Sequence, residues 1–270
     1  MSRPQPTRLI SVLAAACLLA CPGRAQTDRA QPPPRPAEQP SSPAAAGAAP
    51  PAVSSALPLP SPEPAATASE RPIRSVLVLG DSLTDEKVGG GIFVRILREH
   101  CRKASFDNRA KGGFMVNQMR KRLETEVLPE GQKYSHAIVF GGVNDLYSDQ
   151  TANRTLPRIE GDLSRIYSAL KERGIEVIAV TVTPWGGFKK WFTPERGQNT
   201  LTLNRWIQAQ PAAGAIASAI DAYPLLSCGE PDKLCPELAL PHKDGLHFGQ
   251  LGHEKLAKAL LAGPFKSCEP

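Results

Sequence analysis

The sequence lacks any uninterrupted apolar run long enough to cross a bilayer. The run near its start, Leu9 to Ala20, stops after twelve residues, whereas a membrane-spanning helix takes about 20. It also lacks the basic excess that nucleic acid demands. The net charge is +6, but Arg3 and Arg8 carry two of those charges. Four arginines between residues 22 and 72 are offset by Asp28, Glu38, Glu63 and Glu70, which leaves +4 on the remainder. A nucleic-acid partner is therefore not expected. There is no glycine-rich phosphate loop, since the isolated Gly89-Gly90-Gly91 reads as a loosened start to a helix, and there is no internal repeat. Between Pro22 and Pro72 aliphatic and aromatic periodicity is missing, and proline and alanine supply 27 of 51 residues. Such a stretch cannot bury a core.

The beginning of the chain reads as an address. Arg3 and Arg8 precede the short apolar run, as in a secretory signal peptide. Its end, Leu18-Leu19-Ala20-Cys21, resembles the bacterial lipobox, in which the cysteine is acylated and becomes the mature N-terminus. Ala14-Ala15-Ala16-Cys17 is a weaker candidate. Cleavage after Ala25 would instead release a secreted protein. The expected organisation is a lipoprotein signal peptide at 1–20, a Pro/Ala-rich tether at 21–72 and one folded domain at 73–270. The tether would hold the domain off a membrane of the bacterial cell envelope.

Four cysteines remain after Cys21, an even number that suits an oxidising compartment. Cys228 and Cys235 flank a turn-rich segment, so a local bridge is the economical pairing, and Cys101 would then pair with Cys268. Zinc is the rival for such a set, but six residues between Cys228 and Cys235 is not the usual short ligand spacing. No metal is expected.

The domain alternates strand and helix patterns. Ile73 to Leu79 is a nearly continuous apolar run bounded by Pro72 and Gly80, as for a strand buried on both faces. Similar runs lie at Ala137–Phe140, Ile175–Val182 and, more weakly, Ala215–Ile220, with a short outer strand at Ala104–Asn108. Helical spacing joins Ile92, Ile96, Leu97 and Cys101, then Met115, Met119, Leu123 and Val127, then Ile159, Leu163, Ile166 and Leu170, and finally Leu251, Leu256, Leu260 and Leu261. This alternation predicts a three-layer α/β/α sandwich around a parallel sheet of about five strands.

In such sheets functional groups collect at the carboxyl ends of the strands. There the sequence places Gly80-Asp81-Ser82-Leu83-Thr84, then Asn108 to Gly113, then Gly141-Gly142-Val143-Asn144-Asp145. Asp244-Gly245-Leu246-His247 precedes the last helix. A serine hydroxyl needs a base within reach, and the base needs a third group to hold its tautomer. Ser82, His247 and Asp244 suit those roles, and only His247 among the histidines follows an aspartate by three. The oxyanion formed on attack calls for donors in place, and the N–H groups of Ser82 and Gly113 and the amide of Asn144 are the candidates, with Gly112 as the fallback for Gly113. Singly these segments have bland readings: Asp81 and Ser82 suit a helix N-cap, and Asn144-Asp145 suits a turn. Asp145 reads as loop scaffolding.

The four segments, in this order, resemble the blocks of the SGNH (GDSL) hydrolase family from Val76 to about Leu261, with Ala110 where many relatives carry glycine. The resemblance implies a flavodoxin-like fold, a serine esterase using an acyl-Ser82 intermediate, an ester substrate such as an O-acyl carbohydrate or a lipid, and no cofactor. Transfer of the acyl group to another acceptor, or a silent domain that binds envelope glycans, are the alternative readings. The absence of a long apolar lid segment favours short acyl groups. Trp185, Phe188 and Trp191 follow the fourth strand and are expected at the substrate rim, there to stack on a sugar ring, to hold an acyl chain or simply to cover the core. A monomer is expected.

Overall fold

The computed structural model describes residues 71–268. Residues 1–70, and with them the expected signal peptide, Cys21 and nearly all of the expected tether, lie outside the described residues. Among the described residues no helix is long and apolar enough to cross a membrane.

Five parallel strands form the central sheet: β1 (Ser75–Gly80), β2 (Ser105–Asn108), β3 (His136–Phe140), β4 (Glu176–Val180) and β5 (Ser218–Ile220), in the spatial order β2-β1-β3-β4-β5. β1 lies between β2 and β3, with Val76 beside His136 and Val78 beside Asn108. Its residues from Val76 onward are buried, as its continuous apolar run requires. The short β2, with no residue fully buried, forms one edge, and β5 forms the other.

The helices are α1 (Ile92–His100), α2 (Val116–Arg122, prolonged by one wider turn through Val127), α3 (Val143–Tyr147) and α4 (Leu156–Lys171). Then come α5 (Pro194–Ala209), α6 (Ala222–Leu226), α7 (Pro236–Ala239) and α8 (Gln250–Ala262). α1 packs on α8, while α2, α4 and α5 pack in succession. The buried stripes of α1 (Phe93, Val94, Leu97) and α4 (Ile159, Leu163, Ile166, Leu170) join the apolar residues of β1, β3 and β4 in one core. A two-stranded antiparallel hairpin, β6 (Ser227–Cys228) and β7 (Glu230–Leu234), interrupts the last crossover.

Two disulfides are present among the described residues. Cys228 and Cys235 close the hairpin, with Cα atoms 5.1 Å apart. Cys101, just past α1, is bonded to Cys268, beyond α8, with Cα atoms 5.2 Å apart. The long pairing follows from direction: α1 and α8 both begin near the carboxyl ends of the strands and finish at the opposite edge.

Candidate active site

Ser82 stands in the tight turn that ends β1. The turn is held by Asp81, whose carbonyl accepts from the N–H groups of Thr84 (3.1 Å) and Asp85 (2.9 Å) and whose carboxylate accepts from Leu83 N–H (3.0 Å). This aims the Ser82 hydroxyl at His247: Oγ and Nε2 lie 2.8 Å apart. On the far side of the ring, Nδ1 lies 2.6 Å from Asp244 Oδ2. Because a carboxylate only accepts, Nδ1 carries the proton and Nε2 presents its lone pair to the serine. Asp244 Oδ1 also accepts from the N–H groups of Leu246 and His247, both at 2.9 Å. Burial pushes the Asp244 pKa up, but these two N–H groups and the imidazole outweigh it, and the net shift is downward. The carboxylate therefore stays ionised.

The second strand end supplies Gly112 and Gly113. Asp85 Oδ2 takes the Gly112 N–H at 2.9 Å, whereas the N–H groups of Gly113 and Ser82 have no acceptor among the described residues. That singles out Gly113 between the two. It sits at φ +77°, and the space where a Cβ would stand is open, so the exposed amide rests on a conformation that L side chains rarely adopt.

From the third strand end comes Asn144, in the first turn of α3 and almost wholly buried. Its Nδ2 donates to Phe114 O at 2.9 Å and lies 3.3 Å from Asp81 Oδ2, while its Oδ1 accepts from Tyr147 Oη at 2.7 Å. Asp145 acts as scaffold. It accepts from Val116 N–H at 2.8 Å and from Arg154 Nε at 2.7 Å, and Arg154 and Arg120 meet again on Asp162 at 2.7 and 2.8 Å. This buried network ties α3 to the start of α2 and to α4.

Trp185 is not at the rim. It is fully buried, its indole N–H donates to Thr200 Oγ1 at 2.9 Å, and Phe192 packs edge-on at 5.0 Å. Thr200 belongs to α5, so this bond seats the ring against that helix. Phe188 and Trp191 are half-buried, each with its ring 6.0 Å from that of Tyr147. Lys190 Nζ lies 5.0 Å from the Trp191 ring.

Sequence reasoning missed Tyr147, Asp81 and His253. Burial pushes the Asp81 pKa up to about 7, against the pull of Leu83 N–H and His247. His253, with Ser82, Val88, His242, His247 and Phe248, lines a cavity of about 110 Å³ beside the serine. Larger hollows of about 410 and 270 Å³ lie near the opposite ends of β4 and β5, away from Ser82. The one cluster among the described residues spaced like metal ligands is Cys228, Cys235 and Glu237, and its two sulfurs are already joined to each other.

The family profile of GDSL-like lipases and acylhydrolases matches residues 78–255, from within β1 to within α8. The chain belongs to that family. As a GDSL-type acylhydrolase it is a carboxylic ester hydrolase, and all four strand-end segments fall inside the matched region. No curated protein matches it in sequence. Among solved structures, a GDSL-like lipase of Bacteroides thetaiotaomicron superposes with a TM-score of 0.60 at 20% identity, covering 72% of this chain and 89% of the other. The lipase/acylhydrolase of Enterococcus faecalis gives 0.56 at 22% identity, covering 70% and 94%. A catalytic mutant of an acetylxylan esterase of Geobacillus stearothermophilus gives 0.56 at 18% identity, covering 71% and 94%. These likenesses show the shared fold, a parallel five-stranded sheet flanked by helices.

Proposed function

We propose that this acylhydrolase cleaves short acyl esters, O-acetyl groups on a carbohydrate foremost, through an acyl-Ser82 intermediate. The observation that carries the reading is the unbroken relay Ser82–His247–Asp244, at 2.8 and 2.6 Å, beside N–H groups of Ser82 and Gly113 that have no acceptor among the described residues. Ser82 Oγ attacks the ester carbonyl while its proton passes to His247 Nε2. The oxyanion is met by the two N–H groups and by Asn144 Nδ2, whose second hydrogen, held by Asp81 Oδ2 only at 3.3 Å, turns to it. His247 then returns the proton to the departing alkoxide, and water, deprotonated by the same nitrogen, releases the acid. Losing one such donor costs about 10²- to 10³-fold in rate. The smallness of the cavity beside Ser82, about 110 Å³, favours a short acyl group. The half-buried Phe188 and Trp191 and the acetylxylan esterase among the structural relatives favour a carbohydrate carrier.

Hydrolysis of nitrophenyl esters of graded length is the test. Acetate and butyrate should turn over faster than decanoate, and a preference for decanoate would sink the short-acyl reading. Ser82→Ala and His247→Ala should each abolish turnover, with the double variant no worse than either single one. Additive losses would refute a relay.

Export and acylation at Cys21, which place the enzyme in the cell envelope, form part of the same proposal and rest on the Leu18–Cys21 segment. Cells fed a clickable fatty acid should yield labelled protein, and Cys21→Ser should abolish the label. An unlabelled mature chain beginning near Gln26 would point to plain secretion.

A further inference from the structure

An amide used as an oxyanion donor must present nitrogen, not oxygen, and the two ends of Asn144 differ in what holds them. The nitrogen end faces the Phe114 carbonyl at 2.9 Å and Asp81 Oδ2 at 3.3 Å. The oxygen end has one partner among the described residues, the Tyr147 hydroxyl at 2.7 Å. Asn144 and Tyr147 are three residues apart on α3, a helix of only five residues, which is too short to fix a side chain by its own rigidity. What fixes the Tyr147 ring is its aromatic surroundings: Trp185 at 6.5 Å, and Phe188 and Trp191 at 6.0 Å. Burial, with the charges of Asp81 and Asp145 behind it, pushes the phenol pKa up. The hydroxyl therefore remains a donor wherever ester hydrolysis is measured.

We infer that Tyr147 is a positioning residue for the oxyanion site: its hydroxyl, held by the rim aromatics, fixes the Asn144 amide with nitrogen toward the reacting carbonyl. This rests on the reading of Asn144 as an oxyanion donor. A bond to Oδ1 also draws electron density toward the oxygen and strengthens the opposite N–H as a donor. The rim and the oxyanion site thus share one side chain, whose ring belongs to the first and whose hydroxyl belongs to the second.

Tyr147→Phe separates the two, since it leaves the ring in place and removes the hydrogen bond. Two rates should be followed. One is hydrolysis of nitrophenyl acetate. The other is labelling by a fluorophosphonate, in which the Ser82 Oγ–P bond forms, fluoride leaves, the proton passes to His247 and the phosphoryl oxygen occupies the oxyanion position. Tyr147→Phe should lower kcat and the labelling rate about tenfold, a fraction of the full cost of losing a donor, with KM unchanged within about twofold. In an Asn144→Ala background, or Asn144→Ser should the alanine variant fail to fold, it should cost nothing further.

Wild-type rates in Tyr147→Phe, or losses that multiply with those of the Asn144 variant, would overturn the inference. Wild-type rates in the Asn144 variant would overturn the donor reading and the inference with it. Labelling without hydrolysis of any ester would defeat the esterase reading alone, and the labelling rates would still decide for or against Tyr147. A wild-type protein that the probe does not label would overturn both.

Discussion

At the scale of single residues, His253 carries a cost that depends on pH. It is 1% exposed, its ring lies 5.9 Å from Phe93 and 4.3 Å from Phe248, and its Nδ1 has no hydrogen-bond partner among the described residues. Burial first, then the neighbouring His242, Arg95 and His247, push its pKa down to about 3. The folded protein therefore holds the ring neutral where the unfolded chain, with a value near 6.5, takes up a proton. Its contribution to stability is complete above about pH 6.5. It falls by roughly 1.4 kcal/mol per pH unit as the pH drops toward the folded value. His253→Phe, which keeps an aromatic ring between Phe93 and Phe248, should flatten the acid limb of a urea-midpoint curve between pH 6.5 and 4. An unchanged slope would assign the acid loss to other groups. The sequence marks His247 through its spacing from Asp244, yet it hides His253, which shares the buried face of α8 with Leu256 and Leu260. Tyr147 and Asp81 are hidden for a related reason: their partners lie on other segments or depend on which end of an amide faces inward.

At the scale of elements, the loop bearing Asp244 and His247 is buttressed by another loop. Gly245, at φ +75°, passes so close to Gly187 that an added Cβ would stand 2.0 Å from the Gly187 carbonyl carbon. Gly186 N–H in turn donates to Asp232 O of the disulfide-closed hairpin at 2.6 Å. The obstacle is backbone, so Gly245→Ala must separate the two loops and carry His247 away from Ser82. A displacement of about 1 Å costs about 10²-fold in rate. The variant should lose kcat on that order, while Gly161→Ala, in α4 with nothing within 4 Å of its Cβ, should leave it unchanged. Equal rates in both variants would remove the buttress from the mechanism. β1, β3 and β4 were legible as apolar runs, and α1, α2 and α4 as spaced apolar stripes, while of the four leucines that marked α8 only Leu256 and Leu260 are buried and Leu251 is exposed. α5 was not, because its buried face mixes Gly197, Thr200 and Asn204 with Leu203 and Ile207. Asn204 bonds both the N–H and the carbonyl of Val182 at 2.8 Å, so polar residues there do what apolar ones do elsewhere. The expected rim position of Trp185 failed for the same reason: Thr200 on that polar face receives its indole.

For the whole molecule, the layer order and the meeting of the strand-end loops at one rim were legible, because alternating strands and helices leave few ways to build a parallel sheet. The β6–β7 hairpin read only as a turn-rich loop, since two-residue β6 is too short to leave a pattern. The Cys101–Cys268 bond spans 167 positions, and on the chain-entropy estimate a loop of that length stabilises the fold by about 5 kcal/mol. It also divides the domain in a way the folded shape conceals. Laid flat, the oxidised chain is a ring with a tail. Gly113, Asn144, Asp244 and His247 lie on the ring, as do β2 and β3, while Ser82 rides on the tail, whose strand β1 slides between those two ring strands. A single backbone cut at the exposed Lys189-Lys190 pair would add one water to the molecule and release nothing until the sulfurs were reduced. A cut between Ser82 and Cys101 would instead leave the nucleophile attached to the rest by packing alone, so the covalent continuity of the active site hangs on that one short stretch of tail.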